Sequence, residues 1–298
     1  MTYKKKKIAV CLYGQPRTAL YCAPWIKEWF NVPPGTEINT YKKNIDMLPE
    51  FVSKDQCEVE VDYFLHIKDY NIYMNTIGDV GDNPIDSPVQ KVSQDYINEL
   101  INVYQPKKHQ VLTFEEEYEL IHGQRNGYSA LFYSITSAMR LKKEYEVETG
   151  TVYDYCFTHR YDGIVGPGID TFKNRLAGPG FPPMSVLALG DFFRWKWEFW
   201  RLGPSDVFLG GENLAMELLL ADASRIYTSD NLFICNDDIG GPNLVLGKSF
   251  SNSSIKLETD YNLHCAIVRH SADLTIPIFE SWPYHQNYWL TNHKSTLL

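Results

Sequence analysis

The chain has 298 residues, of which 44% are hydrophobic, 14% aromatic and 22% charged. That composition is globular, and no run approaches the ~18 apolar residues of a membrane span. A net charge of −9 and a pI near 5.4 argue against a nucleic-acid binder, which needs a basic face.

The basic run Lys4 to Lys7 reads as the solvated start of a strand. The apolar run beginning at Ile8 meets Gly14 and Pro16 too soon for a secretory signal, so a cytoplasmic location is expected. The six cysteines form no CxxC pair and several lie in apolar runs, which reads as free thiols in a reducing compartment without structural zinc.

Lys7 to Tyr13 predicts a buried first strand, followed by the turn Gly14-Gln15-Pro16-Arg17 and a helix from Thr18 to about Phe30. Val32 to Glu58 reads as irregular, with Pro33, Pro34 and Gly35 at its start. Val59 to Ile67 is a second strand with Asp62 as its polar exception, and Asn75 to Pro88 is a loop. Val92 to Val103 is a short helix and His109 to Phe114 a third strand. From Gly127 to Thr149, apolar residues recur at Leu131, Ile135, Ala138, Leu141 and Tyr145, one face of a helix that Gly150 stops. Tyr153 to Thr158 reads as a central strand running into His159-Arg160-Tyr161-Asp162. Gly163 to Pro204 is rich in Gly and Pro and carries the aromatic block Arg194 to Arg201. Asp206 to Leu209 is a short strand, and a helix runs from about Glu212 to Ala223. Further apolar runs follow at Asn231 to Cys235, Leu244 to Leu246 and Cys265 to Val268.

No repeat, linker or boundary divides the chain, so residues 1–298 are expected to form one domain. Alternating strands and helices predict an α/β fold, with a mixed, mainly parallel, Rossmann-like sheet and helices on both faces.

Ligands of open α/β sheets bind beyond the carboxyl ends of the strands, which directs attention to two places, and a third is marked by an Asp before a short strand, paired glycines and a helix start. In the first turn, Gly14 permits close backbone approach and Arg17 offers a cation and a fork of donors to a diphosphate. The bland reading is a plain turn with a surface arginine. At the end of the central strand, Asp162 stands where a carboxylate ligand of a divalent cation would be, because hard cations prefer oxygen. Its alternative is to cap a turn. In the segment Ser205 to Asn213, Asp206 would orient or deprotonate an acceptor hydroxyl, while Glu212 and Asn213 equally suit capping the next helix. The aromatic block, with Trp195, Trp197, Phe199 and Trp200, fits either a sugar groove or a flap on the core. The GxGxxG, DxD, HExxH, GxSxG and Walker A patterns are all absent, which disfavours a nicotinamide enzyme.

The order of these segments resembles GT-A-type glycosyltransferases of large DNA viruses, phages and bacteria. That family opens with a segment like IAVCLSGQPR, and Ile8 to Arg17 reads IAVCLYGQPR. Its DVFIHTWD is matched by VDYFLHIKD at Val61 to Asp69, and its YKPKK by YQPKK at Tyr104 to Lys108. Its long helix is matched by SALFYSITSAMRLKKEYE at Ser129 to Glu146, and YDYVIRTRPDL by YDYCFTHRYDGI at Tyr153 to Ile164. NDQFAIGSSENMD is similar to SDVFLGGENLAME at Ser205 to Glu217. Tyr13, His159 and Ser205 depart from the family's residues.

The resemblance implies a GT-A-like sheet and transfer of a sugar from a nucleoside-diphosphate sugar to a glycan or other hydroxyl acceptor. It implies a divalent metal, Mn or Mg, held by Asp162, with Asp206 as the catalytic carboxylate near the acceptor. Tyr13, Gly14, Gln15, Arg17, His66, Arg160, Asp162, Gly210 and Gly211 are then the expected nucleotide-sugar contacts, in the host cytoplasm if the chain is viral. A non-catalytic member binding glycan or a partner is the alternative, favoured by the missing DxD.

Overall fold

A computed structural model describes residues 3–34, 36–42, 50–72, 89–120, 127–166, 169–178, 180–189, 207–228, 253–260, 264–270 and 277–280. In chain order the elements are β1 (Tyr3–Gly14), α1 (Ala19–Phe30), β2 (Thr36–Lys42), β3 (Glu50–Lys68), β4 (Tyr70–Ile72), β5 (Val89–Lys91) and α2 (Gln94–Tyr104). Then come β6 (Lys108–Leu112), α3 (Phe114–Leu120), α4 (Gly127–Thr149), β7 (Tyr155–Arg160), β8 (Gly163–Gly166), α5 (Ile169–Ala177) and β9 (Ser185–Leu189). β10 (Phe208–Glu212), α6 (Asn213–Thr228), β11 (Lys256–Asp260), β12 (His264–His270) and β13 (Pro277–Glu280) complete them.

The unbroken apolar run of β1 has a structural reason. Ile8 through Tyr13 are fully buried because β1 lies mid-sheet with helices over both faces. β1 pairs in parallel with β3 on one side and with β7 on the other. The main sheet runs β2-β3-β1-β7-β10-β9-β11, with β6 on the last part of β3. The β1–β3, β1–β7, β3–β6 and β9–β11 pairs are parallel. β10 is antiparallel to both its neighbours, and β2 is antiparallel to β3. The mixed, mainly parallel α/β sheet is therefore present as expected.

Strand alternation sorts the side chains into two cores. Ile8, Val10 and Leu12 pack with Cys22, Ile26 and Phe30 of α1, Leu100 of α2 and Phe172 of α5. Ala9, Cys11 and Tyr13 pack on the opposite face with Phe132, Ile135 and Ala138 of α4 and Met216 and Leu219 of α6. α4 has the bounds its periodicity predicts, and Gly150 ends it at φ +71°. In α2, the Ser93 side chain accepts from Tyr96 N and left-handed Gln105 closes the other end.

Buried charges tie these layers together. The Lys6 ammonium donates to the carbonyls of Leu176 and Gly178 at 2.7 Å each, capping the carboxyl end of α5 where the helix dipole favours a cation. Asp62, the polar exception of its strand, accepts from Tyr153 Oη at 2.8 Å and lies 3.4 Å from Lys107 Nζ. Lys142 of α4 reaches Glu146 at 3.1 Å and Glu217 of α6 at 2.5 Å.

Two expectations are corrected. The irregular reading of Val32 to Glu58 gives way to an antiparallel pair, β2 with the first half of β3, registered from Thr36↔Cys57 to Lys42↔Glu50. Backbone pairing at the sheet edge forms this ribbon without an apolar run to announce it. The Gly/Pro-rich reading of Gly163 to Pro204 conceals β8, α5 and β9. Phe172 and Leu176, four residues apart, mark the buried stripe of α5. The expected loop at Asn75 to Pro88 lies outside the described residues. No helix among the described residues is long and apolar enough to cross a membrane.

Candidate functional site

Because β1, β3 and β7 are parallel, their carboxyl ends share one edge of the sheet. Tyr13 is opposite His66 on one side and Arg160 on the other. The chain leaves β1 through α1 toward β3, while β7 lies on β1's other flank, which makes this edge a topological switch point.

Gly14 turns the chain out of β1 at φ +109°, a left-handed conformation that favours glycine. No described atom lies within 4 Å of where a Cβ would project. The Tyr96 hydroxyl of α2 braces the turn from below. It accepts from Leu20 N at 3.1 Å and lies 3.0 Å from Pro16 O and 3.1 Å from Arg17 O. Asn71, just past β3, accepts from Arg17 N at 3.1 Å. The Gln15 amide oxygen accepts from Arg17 Nε at 2.8 Å.

Arg17 is thereby aimed at the end of β7. Its Nη1 lies 3.5 Å from Asp162 Oδ2. Arg160 grips the same carboxylate with two parallel bonds, Nε to Oδ1 at 2.9 Å and Nη2 to Oδ2 at 2.8 Å. Such charge-assisted forks are the strong class of hydrogen bond, and they hold a guanidinium in one plane. Tyr161 N donates to Tyr13 O at 3.1 Å, locking the two strand ends together. Gly163 follows because a Cβ there would stand 2.9 Å from the His159 ring.

Lys68 adds a third cation at the end of β3, buried and 2.7 Å from Glu117 of α3. Tyr70 Oη also donates to Glu117. Burial lowers the Lys68 pKa, Glu117 works the other way, and the nearby charges of Arg17 and Arg160 lower it further.

The predicted residues separate into two groups. Tyr13, Gly14, Gln15, Arg17, Arg160 and Asp162 come together at this edge. His66 lies beneath it, fully buried against the α4 face, its ring edge-on to Tyr133 at 5.7 Å. Burial, then the charges of Lys68 and Arg140, push its pKa down to about 3, so the imidazole is neutral. Among the described residues neither ring nitrogen has a hydrogen-bond partner. Gly210 and Gly211 are strand residues of β10, not a loop, packed between β7 and β9. Their lack of a side chain is explained by packing, since added Cβ atoms would lie 1.8 Å from the Phe157 ring and 2.2 Å from Ser185 O. Asp206, the aromatic block and its Trp195, Trp197, Phe199 and Trp200 lie outside the described residues.

His159 is also structural. Its Nδ1 donates to its neighbour's carbonyl at 2.6 Å, and burial pushes its pKa down to about 4. Asn71, Tyr96 and Lys68 were not singled out from the sequence. Lone polar residues in or beside apolar segments carry no local signature of a partner in a distant element.

A divalent metal does not fit the described donor set. Among the described residues no group of three His, Cys, Asp or Glu side chains could hold one. Both Asp162 oxygens already accept from guanidinium groups. A dication bound there would have to displace guanidinium groups whose charge repels it.

No protein-family model and no curated protein matches the chain. Among solved structures it is similar to an active-site mutant of LgtC, at TM-score 0.36 and 11% identity over 85% of this chain and 72% of that one. It is similar to mouse xyloside xylosyltransferase 1 in its apo form, at TM-score 0.37 and 8% identity over 86% and 85% of the two chains. A third likeness is to the galactosyltransferase LgtC with donor and acceptor sugar analogues, at TM-score 0.33 and 11% identity over 81% and 69%. Likenesses this loose carry no argument about activity.

Proposed function

We propose that the chain is a GT-A-type glycosyltransferase that moves a sugar from a nucleoside-diphosphate sugar to a hydroxyl of a glycan or other acceptor. The observation that carries this reading is the Arg17–Asp162–Arg160 cluster at the switch point of the sheet, where the segments IAVCLYGQPR and YDYCFTHRYDGI meet. In such a transfer the acceptor oxygen attacks the anomeric carbon. The bond from that carbon to the diphosphate breaks, and its electron pair stays on the departing phosphate oxygen. Donors fixed in advance toward that oxygen stabilise the charge without reorganising. Arg17 is held by Asn71, Gln15 and Asp162, and Arg160 by a two-bond fork to Asp162, which fixes both in advance. Asp206 remains the proposed carboxylate that takes the acceptor proton.

A thermal-shift screen of nucleotides and nucleotide sugars, with and without manganese, tests the reading. A ligand at a hundred times its Kd adds about 2.7 kcal/mol to stability. One nucleoside diphosphate and its sugar conjugate should therefore raise Tm by several degrees, and Asp162→Ala should remove the shift. No shift with any nucleotide would refute the proposal.

A further inference from the structure

The partners of Asp162 decide how this edge would meet a diphosphate. Its carboxylate is gripped by Arg160 from its own strand end and approached by Arg17 from the first turn. Arg17 is itself fixed at its backbone by Asn71 and at Nε by Gln15. Each guanidinium is thus oriented by several bonds. Asp162 is buried, with 3% of its side chain exposed. A carboxylate that served a metal would need its oxygens directed at the ion and other oxygen ligands nearby. Here both oxygens are directed at arginines. Two guanidinium groups fixed side by side attract a diphosphate and repel a dication.

We propose that Arg17 and Arg160 are the fixed cations that take the donor diphosphate, that Asp162 is a positioning residue for both, and that donor binding needs no divalent metal. The proposal rests on the nucleotide-sugar reading and departs from the metal ligation that the sequence resemblance implies for Asp162. Arginine suits the role because its planar fork matches phosphate oxygens two at a time.

The test titrates the full chain calorimetrically with inorganic pyrophosphate and with ADP, GDP, CDP and UDP, first in EDTA and then in manganese. The expected result is a preferred diphosphate whose Kd in EDTA lies within about threefold of its value in manganese. Losing a charge-assisted bond to phosphate corresponds to about tenfold or more in Kd, the effect expected of Arg17→Met and of Arg160→Met. Asp162→Asn should weaken binding equally in both buffers at unchanged stoichiometry, because it loosens the arginines and removes no metal ligand. A misfolded variant would instead lower the stoichiometry. The comparison of buffers uses the unaltered protein, so it decides the matter even if every variant unfolds.

Binding that appears only with manganese, or an Asp162→Asn loss confined to the manganese buffer, overturns this inference and leaves the glycosyltransferase reading standing. No binding of any diphosphate in either buffer overturns both.

Discussion

A methyl group added to β10 separates packing from ligand contact. A Cβ on Gly211 would lie 2.2 Å from Ser185 O and 3.0 Å from Val186 Cα, both backbone atoms of or beside β9. Backbone in a paired strand cannot rotate aside, so the two strands must part. Overpacking of this kind costs ~1–3 kcal/mol, and the rigid obstacle puts Gly211→Ala near the top, about 3 kcal/mol. At ~2–4 °C per kcal/mol for large domains, Tm should fall by roughly 6–12 °C. A Cβ on Gly210 instead meets Cδ1 of Phe157 at 1.8 Å. That ring is wedged among Phe30, Phe172 and Phe208, with centroids 5.2, 5.5 and 5.8 Å away. Gly210→Ala should cost about 2 kcal/mol. Adding Phe157→Leu should return part of it, a coupling that a double-mutant cycle reads directly. Urea unfolding followed by circular dichroism supplies the stabilities, and diphosphate titration of the folded variants supplies the affinities. The packing account is refuted if Gly211→Ala melts like the unaltered protein while its diphosphate affinity collapses. The paired glycines would then face the ligand, as their sequence context suggested.

Acid should destabilise the protein through its neutral histidines. Burial holds His66 at about 3 and His159 at about 4, whereas an unfolded imidazole titrates near 6.5. Between about pH 6.5 and pH 4 the unfolded chain takes up protons that the folded chain refuses, so stability falls as pH falls, by about 1.4 kcal/mol per pH unit per histidine. His66→Leu should halve that slope and leave diphosphate affinity unchanged; an unaltered slope would show that His66 is not the buried neutral group described. Lys142→Met removes the buried cation that Glu146 and Glu217 share and leaves them the exposed Lys143, 3.4 and 3.1 Å away. Removing one partner of a buried pair costs ~3–5 kcal/mol, and partial exposure of Glu217 points to the low end, about 3 kcal/mol. Adding Glu217→Leu should recover much of this, and a double variant as unstable as the single would refute the pairing. Burial pushes the Glu217 pKa up, but bonds from Lys142 and Lys143 bring it below the ordinary value. Its contribution is therefore present above about pH 4.3 and lost as pH falls further, a loss that Lys142→Met should blunt.

The sequence by itself determined the elements whose signal is local. The continuous apolar run of β1, the helical spacing of α4 with its stop at Gly150, and the order β1, α1, β3, α4, β7 all follow from neighbours along the chain. The rule that ligands gather at carboxyl strand ends then sufficed to single out Gly14, Arg17 and Asp162, the resemblance added Arg160, and the fold brings all four to one edge. Tertiary structure decided what has no local signature. The β2–β3 ribbon forms by edge pairing, and the β10 glycines are required by the backbone of β9 and the ring of Phe157. Asn71 and Tyr96 brace a turn that lies far from them in the chain. An aspartate at a strand end looks the same in sequence whether it faces a metal or an arginine. Its partner is set by which side chains converge in space, and here Arg17 arrives from the first turn of the fold, far back along the chain.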